Sequence, residues 1–350
     1  VSVLSLARPD IVALKAYEHA RWLPELERLH ANELPWRTPT DASNAGLNRY
    51  PEPQPHALIE RLAKLYGVRA DQVLVGRGSD EGIDLLTRAF CRPAIDAIVI
   101  CPPTFGMYAV AAQIQGARVL EVPLDRARGF ALDAEGICAA LPDSVKLVYV
   151  CSPNNPTGNS LAKESIERVL DAAAGRALVV IDEAYAEFAA GPSWAGNLAS
   201  YPHLVVLRTL SKAHGLAGAR VGTVLAAPEI IALLRKIIPP YAMPQLTIEA
   251  ALEALEPAPT AVAAARIRQL LDGRAALKKA LANCDGVTRV WPSDANFLLV
   301  EFADTERALA AIQAAKLIVR DVRRQRGLER ALRITVGTAE QNARLIAGLA

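Results

Sequence analysis

Short apolar runs closed by glycine, proline or small polar residues recur through the first two thirds of the chain, alternating with stretches of helical period. Val73-Leu74-Val75, Ala97 to Cys101, Arg118 to Val122, Lys146 to Cys151, Ala177 to Ile181 and Leu204 to Leu207 read as strands. His56 to Tyr66, Ile83 to Phe90, a segment ending at Gln115, Asp133 to Ala140 and Lys163 to Ala174 read as the helices between them. This alternation predicts an open α/β sheet. Upstream, Pro9 to Leu29 has helical period with a break at Pro24, and His30 to Pro35 reads as a short extended piece. Residues 36 to 56 are rich in proline, asparagine and threonine and read as an exposed arm, either a linker or a reach toward a neighbouring subunit anchored by Tyr50. Downstream, Pro228 to Ile238 is helical, Pro239 to Pro244 is a hinge-like break, and an alanine-rich helix runs roughly from Thr260 to Asn283. Composition shifts there. Strands at Val287 to Trp291, Phe297 to Phe302, Leu317 to Arg320 and Leu332 to Val336, with a helix from Thr305 to Ala315, predict a second, smaller α+β domain.

The strands end in chemically pointed residues. Gly76-Arg77-Gly78-Ser79-Asp80-Glu81-Gly82 follows the first, where Ser79 and Asp80 can cap the next helix and leave its first N–H groups aimed at an anion. Phe105 follows the second and can stack on a planar ring. Asn155 lies in the turn Ser152-Pro153-Asn154-Asn155-Pro156-Thr157-Gly158, which admits a cis bond at Pro153 or Pro156. Asp182 stands directly behind five apolar residues, where an acid is costly to bury unless it is paired. Lys212 follows Leu204 to Leu207, with Thr209 and Ser211 before it and Arg220 after it. Lysine forms Schiff bases, and low dielectric or a nearby cation makes it reactive. The hydroxyls and the arginine suit a phosphate. Each of these residues also has an ordinary structural reading: a cap, a core aromatic, a turn, or a lysine that snorkels to solvent. Five such residues at the carboxyl edge, where open α/β sheets bind ligands, instead predict one site.

Pyridoxal 5′-phosphate chemistry needs a lysine, an acid at the pyridine nitrogen, phosphate ligands and a stacking partner. Lys212, Asp182, the Ser79, Asp80, Thr209, Ser211 and Arg220 set, and Phe105 answer to these in turn. Asn155 and Tyr185 are placed to hydrogen-bond the ring's phenolic oxygen. The freed Lys212 amine would then act as general base at the substrate α-carbon.

Whole-chain properties narrow the classes. The 350 residues are 52% hydrophobic and 22% charged with a net charge of +2, so no global field draws in nucleic acid or an anionic membrane. The most apolar stretch, Ala94 to Ala112, is broken by Asp96, Pro102, Pro103 and Thr104, and no run approaches the ~20 residues of a membrane span. The first residues lack the basic and apolar segments of a secretory signal. Five scattered cysteines without a C-x-x-C pair predict reduced thiols, a cytoplasmic location and no metal site.

Asn155-Pro156-Thr157-Gly158, Asp182-x-x-Tyr185, Ser211-Lys212 and the following Arg220 resemble the motifs of fold-type I pyridoxal-phosphate aminotransferases, in the same order and over essentially the whole chain. Asn48-Arg49-Tyr50-Pro51, Ser79 to Ile83, Pro103 to Tyr108, Cys151 to Gly158, Arg208 to Lys212 and Leu332 to Gly337 are similar, more narrowly, to the histidinol-phosphate aminotransferase family. The resemblance implies the α/β fold type I of pyridoxal-phosphate transferases: a three-layer large domain over residues 42–244 with a mostly parallel seven-stranded sheet, an arm over 1–41 that joins the small domain, and a small α+β domain over 245–350. It implies transamination between L-histidinol phosphate and 2-oxoglutarate, giving imidazole-acetol phosphate and L-glutamate. It implies a homodimer in which the partner supplies Tyr50 to the phosphate region, small-molecule substrates, and neither nucleic acid nor membrane. Tyr17, Asn32, Asn296, Arg320 and Arg333 would line the substrate pocket, Arg333 on the α-carboxylate and Arg320 on the substrate phosphate. Two related readings stay open: an aminotransferase for aromatic or dicarboxylic amino acids, and a decarboxylase of an amino-acid phosphate. Sequence does not fix which bond of the α-carbon stands perpendicular to the ring.

Overall fold

Alternate residues of the apolar strands serve opposite faces of one sheet. Val73, Val75, Val99, Val148, Val150, Val179, Ile181 and Val206 enter the core on one side. Leu74, Ile98, Ile100, Leu147, Tyr149, Leu178, Val180, Val205 and Leu207 enter the core on the other. Strands covered on both faces need apolar residues at every position, which is why they read as continuous runs. Each such side chain, fully buried, contributes about 1.5–3 kcal/mol.

A computed structural model of the chain describes residues 2–23 and 25–349. Its larger sheet comprises β1 (Val73–Gly76), β2 (Ala97–Ile100), β3 (Arg118–Glu121), β4 (Val145–Cys151), β5 (Leu178–Asp182), β6 (Leu204–Thr209) and β7 (Gly222–Ala226), in the order β1-β7-β6-β5-β4-β2-β3. β7 runs antiparallel to both its neighbours and the remaining pairs are parallel. This is the mostly parallel seven-stranded sheet of the expected fold class. A second sheet comprises β8 (Val287–Val290), β9 (Phe297–Phe302), β10 (Arg320–Asp321) and β11 (Ala331–Thr335), antiparallel throughout in the order β10-β11-β9-β8. A small cluster built from Ala184, Tyr185 and Phe188 of the larger unit and Ala295 and Phe297 of the smaller joins the two.

Several expectations are corrected. Helix covers only Pro9–Ala13 of the predicted Pro9 to Leu29, and residues 14–23 have no regular structure. The periodic leucines there find nothing to cover: Leu29 is 96% exposed, and a short helix without a packed face does not hold. Pro24 lies outside the described residues. The first residues pack on the larger unit rather than the smaller. Val3, Leu6 and Ala7 join its core, and Ser2 Oγ donates to Glu229 Oε2 at 2.7 Å. The helix predicted from Ile83 starts at Ser79, with Gly78 as its cap and no side-chain capping bond from Ser79 or Asp80. The strand predicted over Leu317 to Arg320 shrinks to Arg320–Asp321, and Ile318 is 90% exposed. Sequence reading passed over β7 and the helices Gln245–Ala254 and Ala339–Leu349. Ile248 and Ala251 of the first of these helices join the core of the larger sheet, while Leu345 and Leu349 of the second join that of the smaller.

Among the described residues, no helix is long and apolar enough to cross a membrane. No group of three or more His, Cys, Asp or Glu residues among them is placed to hold a metal ion.

Candidate active site

Turns at the carboxyl ends of β1, β2, β4, β5 and β6 open onto a cavity of about 530 Å³ closed on its far side by β10 and β11. Ser79, Asp80, Phe105, Asn155, Asp182, Tyr185, Thr209, Ser211, Lys212, Arg220, Arg320 and Arg333 all line it.

Asp182 ends β5. Ile181 faces one core, so the alternation turns Asp182 toward the other, beside Tyr108. It is 2% exposed. One carboxylate oxygen accepts from Tyr108 Oη at 2.8 Å, the other from the Ala184 N–H at 3.0 Å. Burial pushes its pKa up to about 6, and Asp80 adds to this. The Tyr108 and Ala184 hydrogen bonds and Lys212 oppose it. Such an acid is poised to pair with a cationic ring nitrogen.

Lys212 stands open to the cavity, with Nζ 5.7 Å from the Tyr185 ring centroid. Desolvation by the cavity walls lowers its pKa, and Arg333 and Arg220 lower it further. A larger share of the amine is therefore neutral, the form that attacks a carbonyl or takes a proton. Tyr185 is buried edge-on to Phe297, ring centroids 5.2 Å apart. Burial pushes its phenol up, with Arg333 opposing.

A cup of donors lies beside the lysine. Thr209 Oγ1 donates to Ser211 Oγ at 2.9 Å, and Arg220 Nη1 reaches Ser211 Oγ at 3.4 Å. Arg220 Nη2 pairs with Asp80 at 3.1 Å, over the N-terminus of helix Ser79–Phe90. Glycine is required at two points. Gly78 has φ +84°, and a Cβ there would meet the Arg220 guanidinium; a Cβ at Gly222 would strike the Gly78 and Ser79 backbone. β7 thus packs directly against the turn that opens the cup, where helix N–H groups, two hydroxyls and an arginine make the donor set that suits a phosphate.

Asn155 is fixed through its neighbour. Asn154 Nδ2 donates to the Pro103 carbonyl at 2.9 Å, and Asn154 Oδ1 accepts from Thr104 Oγ1 at 2.9 Å, tying the turn after β4 to that after β2. The bonds before Pro153 and Pro156 are both cis. Asn155 Oδ1 accepts from Arg333 Nη1. Arg333 is flanked by the Phe297 ring, 5.1 Å from its guanidinium carbon, and its buried Nε has no partner among the described residues. It sits directly opposite Arg320 across the β10–β11 pair. Like charges opposite each other on paired strands are unfavourable, and among the described residues neither arginine has a carboxylate within 4 Å. The pair is suited to an anion.

The other expected residues lie elsewhere in the single chain. Tyr17, 71% exposed, lines a separate cavity with His19, Trp22 and His56. Asn32 and Tyr50 share another. Asn296 stands at the start of β9, its carbonyl accepting from the Val336 N–H at 3.0 Å. His214, near Lys212 in sequence, turns into a different cavity with Tyr66, Glu187 and Arg208. Sequence reading assigned nothing to Tyr108, Val322 or Gln325; the first contacts Asp182 and the others line the cavity. The position of Tyr108 three residues after Phe105, on the first turn of helix Met107–Gln115, was its one available signal.

The family model described as aminotransferase class I and II matches residues 26–349, and the chain belongs to this family. A curated histidinol-phosphate aminotransferase from Xylella fastidiosa (strain 9a5c) is 49% identical to it over 352 residues, covering 99% of this chain and 96% of the relative. Among solved structures, the histidinol-phosphate aminotransferase from Sinorhizobium meliloti in complex with pyridoxal-5′-phosphate aligns with a TM-score of 0.76 at 26% identity, over 86% of this chain and 82% of that one. The histidinol-phosphate aminotransferase from Clostridium acetobutylicum shares the fold, with a TM-score of 0.78 at 23% identity over 87% and 90% of the two chains.

Proposed function

We propose that the protein is a pyridoxal 5′-phosphate-dependent aminotransferase of histidine biosynthesis, moving the amino group between L-histidinol phosphate with 2-oxoglutarate and imidazole-acetol phosphate with L-glutamate. The observation that carries the reading is one cavity holding a half-desolvated lysine, a buried acid and an unneutralised arginine pair.

The residues fit the cofactor. The cup at Ser79, Thr209, Ser211 and Arg220 matches a phosphate, Phe105 would offer a ring face, and Asp182 would supply the acid, all in one cavity. When bound, the cofactor supplies an aldehyde that takes the amino group and a ring that accepts the electron pair left at the substrate α-carbon. Lys212 anchors it and, once released, accepts the α-proton on Nζ; its pKa is lowered in the direction that favours the neutral amine this step needs. Asp182 keeps a proton on the ring nitrogen, and Asn155 and Tyr185 hold the ring oxygen. Arg333 grips a carboxylate and Arg320 the phosphate ester of the other substrate, so one pocket serves both halves of the reaction.

Exposed residues of the arm, Leu34, Trp36 and Tyr50, fit burial against a second copy in a homodimer. In that assembly Tyr50 reaches the phosphate of the neighbouring site, and Tyr17 and Asn32 line its substrate pocket. The large unit takes in 42–244 together with the first residues and helix Gln245–Ala254, which pack on its sheet, and the smaller one is built from the rest of 245–350. Five free cysteines accord with a cytoplasmic enzyme.

A steady-state assay with histidinol phosphate and 2-oxoglutarate tests this. Glutamate forms, and Lys212→Ala lowers kcat by at least 10³-fold on the scale of a lost nucleophile. Release of carbon dioxide from threonine phosphate without glutamate formation would overturn it.

A further inference from the structure

Tyr108 has no part in the reaction as set out above, yet it touches two of the groups that matter to it. Its Oη donates to Asp182 Oδ2 at 2.8 Å, with both residues buried. Its ring stacks on Tyr149, centroids 4.6 Å apart and planes 10° from parallel. Phe105 meets the Tyr108 ring edge-on, at 5.6 Å and 83°. Tyr149 is itself fixed, its hydroxyl lying 3.2 Å from Thr87 Oγ1 and 3.3 Å from the Ile83 carbonyl. The Tyr108 phenol is therefore locked in place by stacking on one side and by its hydrogen bond on the other.

We propose that Tyr108 is a positioning residue: its donated hydrogen bond holds Asp182 ionised and aimed at the ring nitrogen of pyridoxal phosphate, and its ring backs the Phe105 stacking face. The proposal rests on the reading of Asp182 as the ring-nitrogen acid. The groups facing Asp182 make the phenol's contribution identifiable. Cys151 lies beside it on β4, with its thiol pushed up by burial and so uncharged. Asp80 faces it from helix Ser79–Phe90, and Lys212 from the loop after β6. Its partner on β6 is the apolar Leu207. Tyr108 is held well above the ordinary phenol value, first by burial and then by Asp182, so it keeps its proton and stays a donor. Among side chains it is the leading influence that favours the charged carboxylate against the burial that disfavours it.

The test uses the full-length protein freed of cofactor and titrated with pyridoxamine 5′-phosphate from pH 5 to 9. The probe's amine forms no bond to Lys212, and its own ionisations are the same for every variant, so they drop out of the comparison. Tyr108→Phe keeps the ring and removes the donor. The pH at which affinity falls on the acid side moves up by about one unit. Replacing Tyr108 with 3,5-difluorotyrosine gives a stronger donor of nearly the same size and moves that pH down. This second replacement carries the test alone if Tyr108→Phe fails to fold. Tyr149→Phe removes a phenol of similar depth that does not touch Asp182, and leaves the midpoint in place. Asp182→Asn weakens binding at every pH. A midpoint unmoved by both Tyr108 replacements, with Asp182→Asn still damaging, overturns the role of Tyr108. Unweakened binding by Asp182→Asn overturns the reading of Asp182 beneath it.

Discussion

The acid of the site is bought with stability. Asp182 is desolvated at the end of a strand buried on both faces, and its pKa rises from 3.8 to about 6 in the cofactor-free chain. The folded state therefore holds this proton more tightly than the unfolded chain does. The associated stability is complete below about pH 4 and is lost as pH rises through about 6. Asp182→Asn removes that loss. Urea unfolding of the cofactor-free chain at pH 7.5 is expected to show the variant more stable by about 3 kcal/mol, with the gap closing toward pH 4, while its cofactor affinity falls. Equal stability of the two proteins at all pH values would contradict the burial argument. Lys212 shifts the opposite way for the same reason, since desolvation disfavours its charged form as well. Asp182 was legible in the sequence because a charged side chain straight after an apolar strand is conspicuous, and Lys212 because Thr209, Ser211 and Arg220 flank it just beyond one. Tyr108 was not, because an aromatic at the start of an apolar helix looks like core, and by burial it is core.

At the scale of elements, what the sequence revealed depended on whether an element carries its own packing signal. β2, β4, β5 and β6 each carry an apolar run of four or more residues, so each was found within a residue or two. β7 begins at a glycine and follows a loop with no helical spacer, and its need for Gly222 lies in a contact with Gly78 and Ser79 that no local pattern records. The Pro9 to Leu29 helix failed in the opposite sense, a correct period with no surface to pack against. The β10–β11 pair is the element most clearly shaped by function. It sets Arg320 opposite Arg333, and among the described residues no carboxylate pairs with either. Arg320→Gln is expected to stabilise the ligand-free chain by a few tenths of a kcal/mol and up to ~1 kcal/mol. It should also raise KM for histidinol phosphate at least tenfold while changing KM for glutamate less. Thermal unfolding and the two half-reactions, measured separately, check both parts.

For the whole molecule, the single chain brings twelve of the expected site residues to one cavity and leaves Tyr17, Asn32, Tyr50 and Asn296 outside its lining, the first three in or beside the arm. That division matches an active site completed by a second copy, which no reading of one chain's periodicity can display. It predicts complementation. Tyr50→Ala and Lys212→Ala chains, each impaired, recover part of the activity when unfolded together and refolded, because half of the mixed dimers' sites take Tyr50 from one chain and Lys212 from the other. Activity no greater than the sum of the separate proteins would argue against a shared site.

The central claim is that Lys212 holds pyridoxal phosphate in a pocket built for both a phosphate ester and a dicarboxylate. Single-turnover mixing tests it most directly, following the visible band of the lysine-bound cofactor. L-Histidinol phosphate and L-glutamate should each bleach the band rapidly, 2-oxoglutarate should restore it, and phenylalanine should act far more slowly. Equal bleaching by phenylalanine would contradict the assigned specificity, and a protein that shows no such band even after addition of pyridoxal phosphate would contradict the role of Lys212 itself.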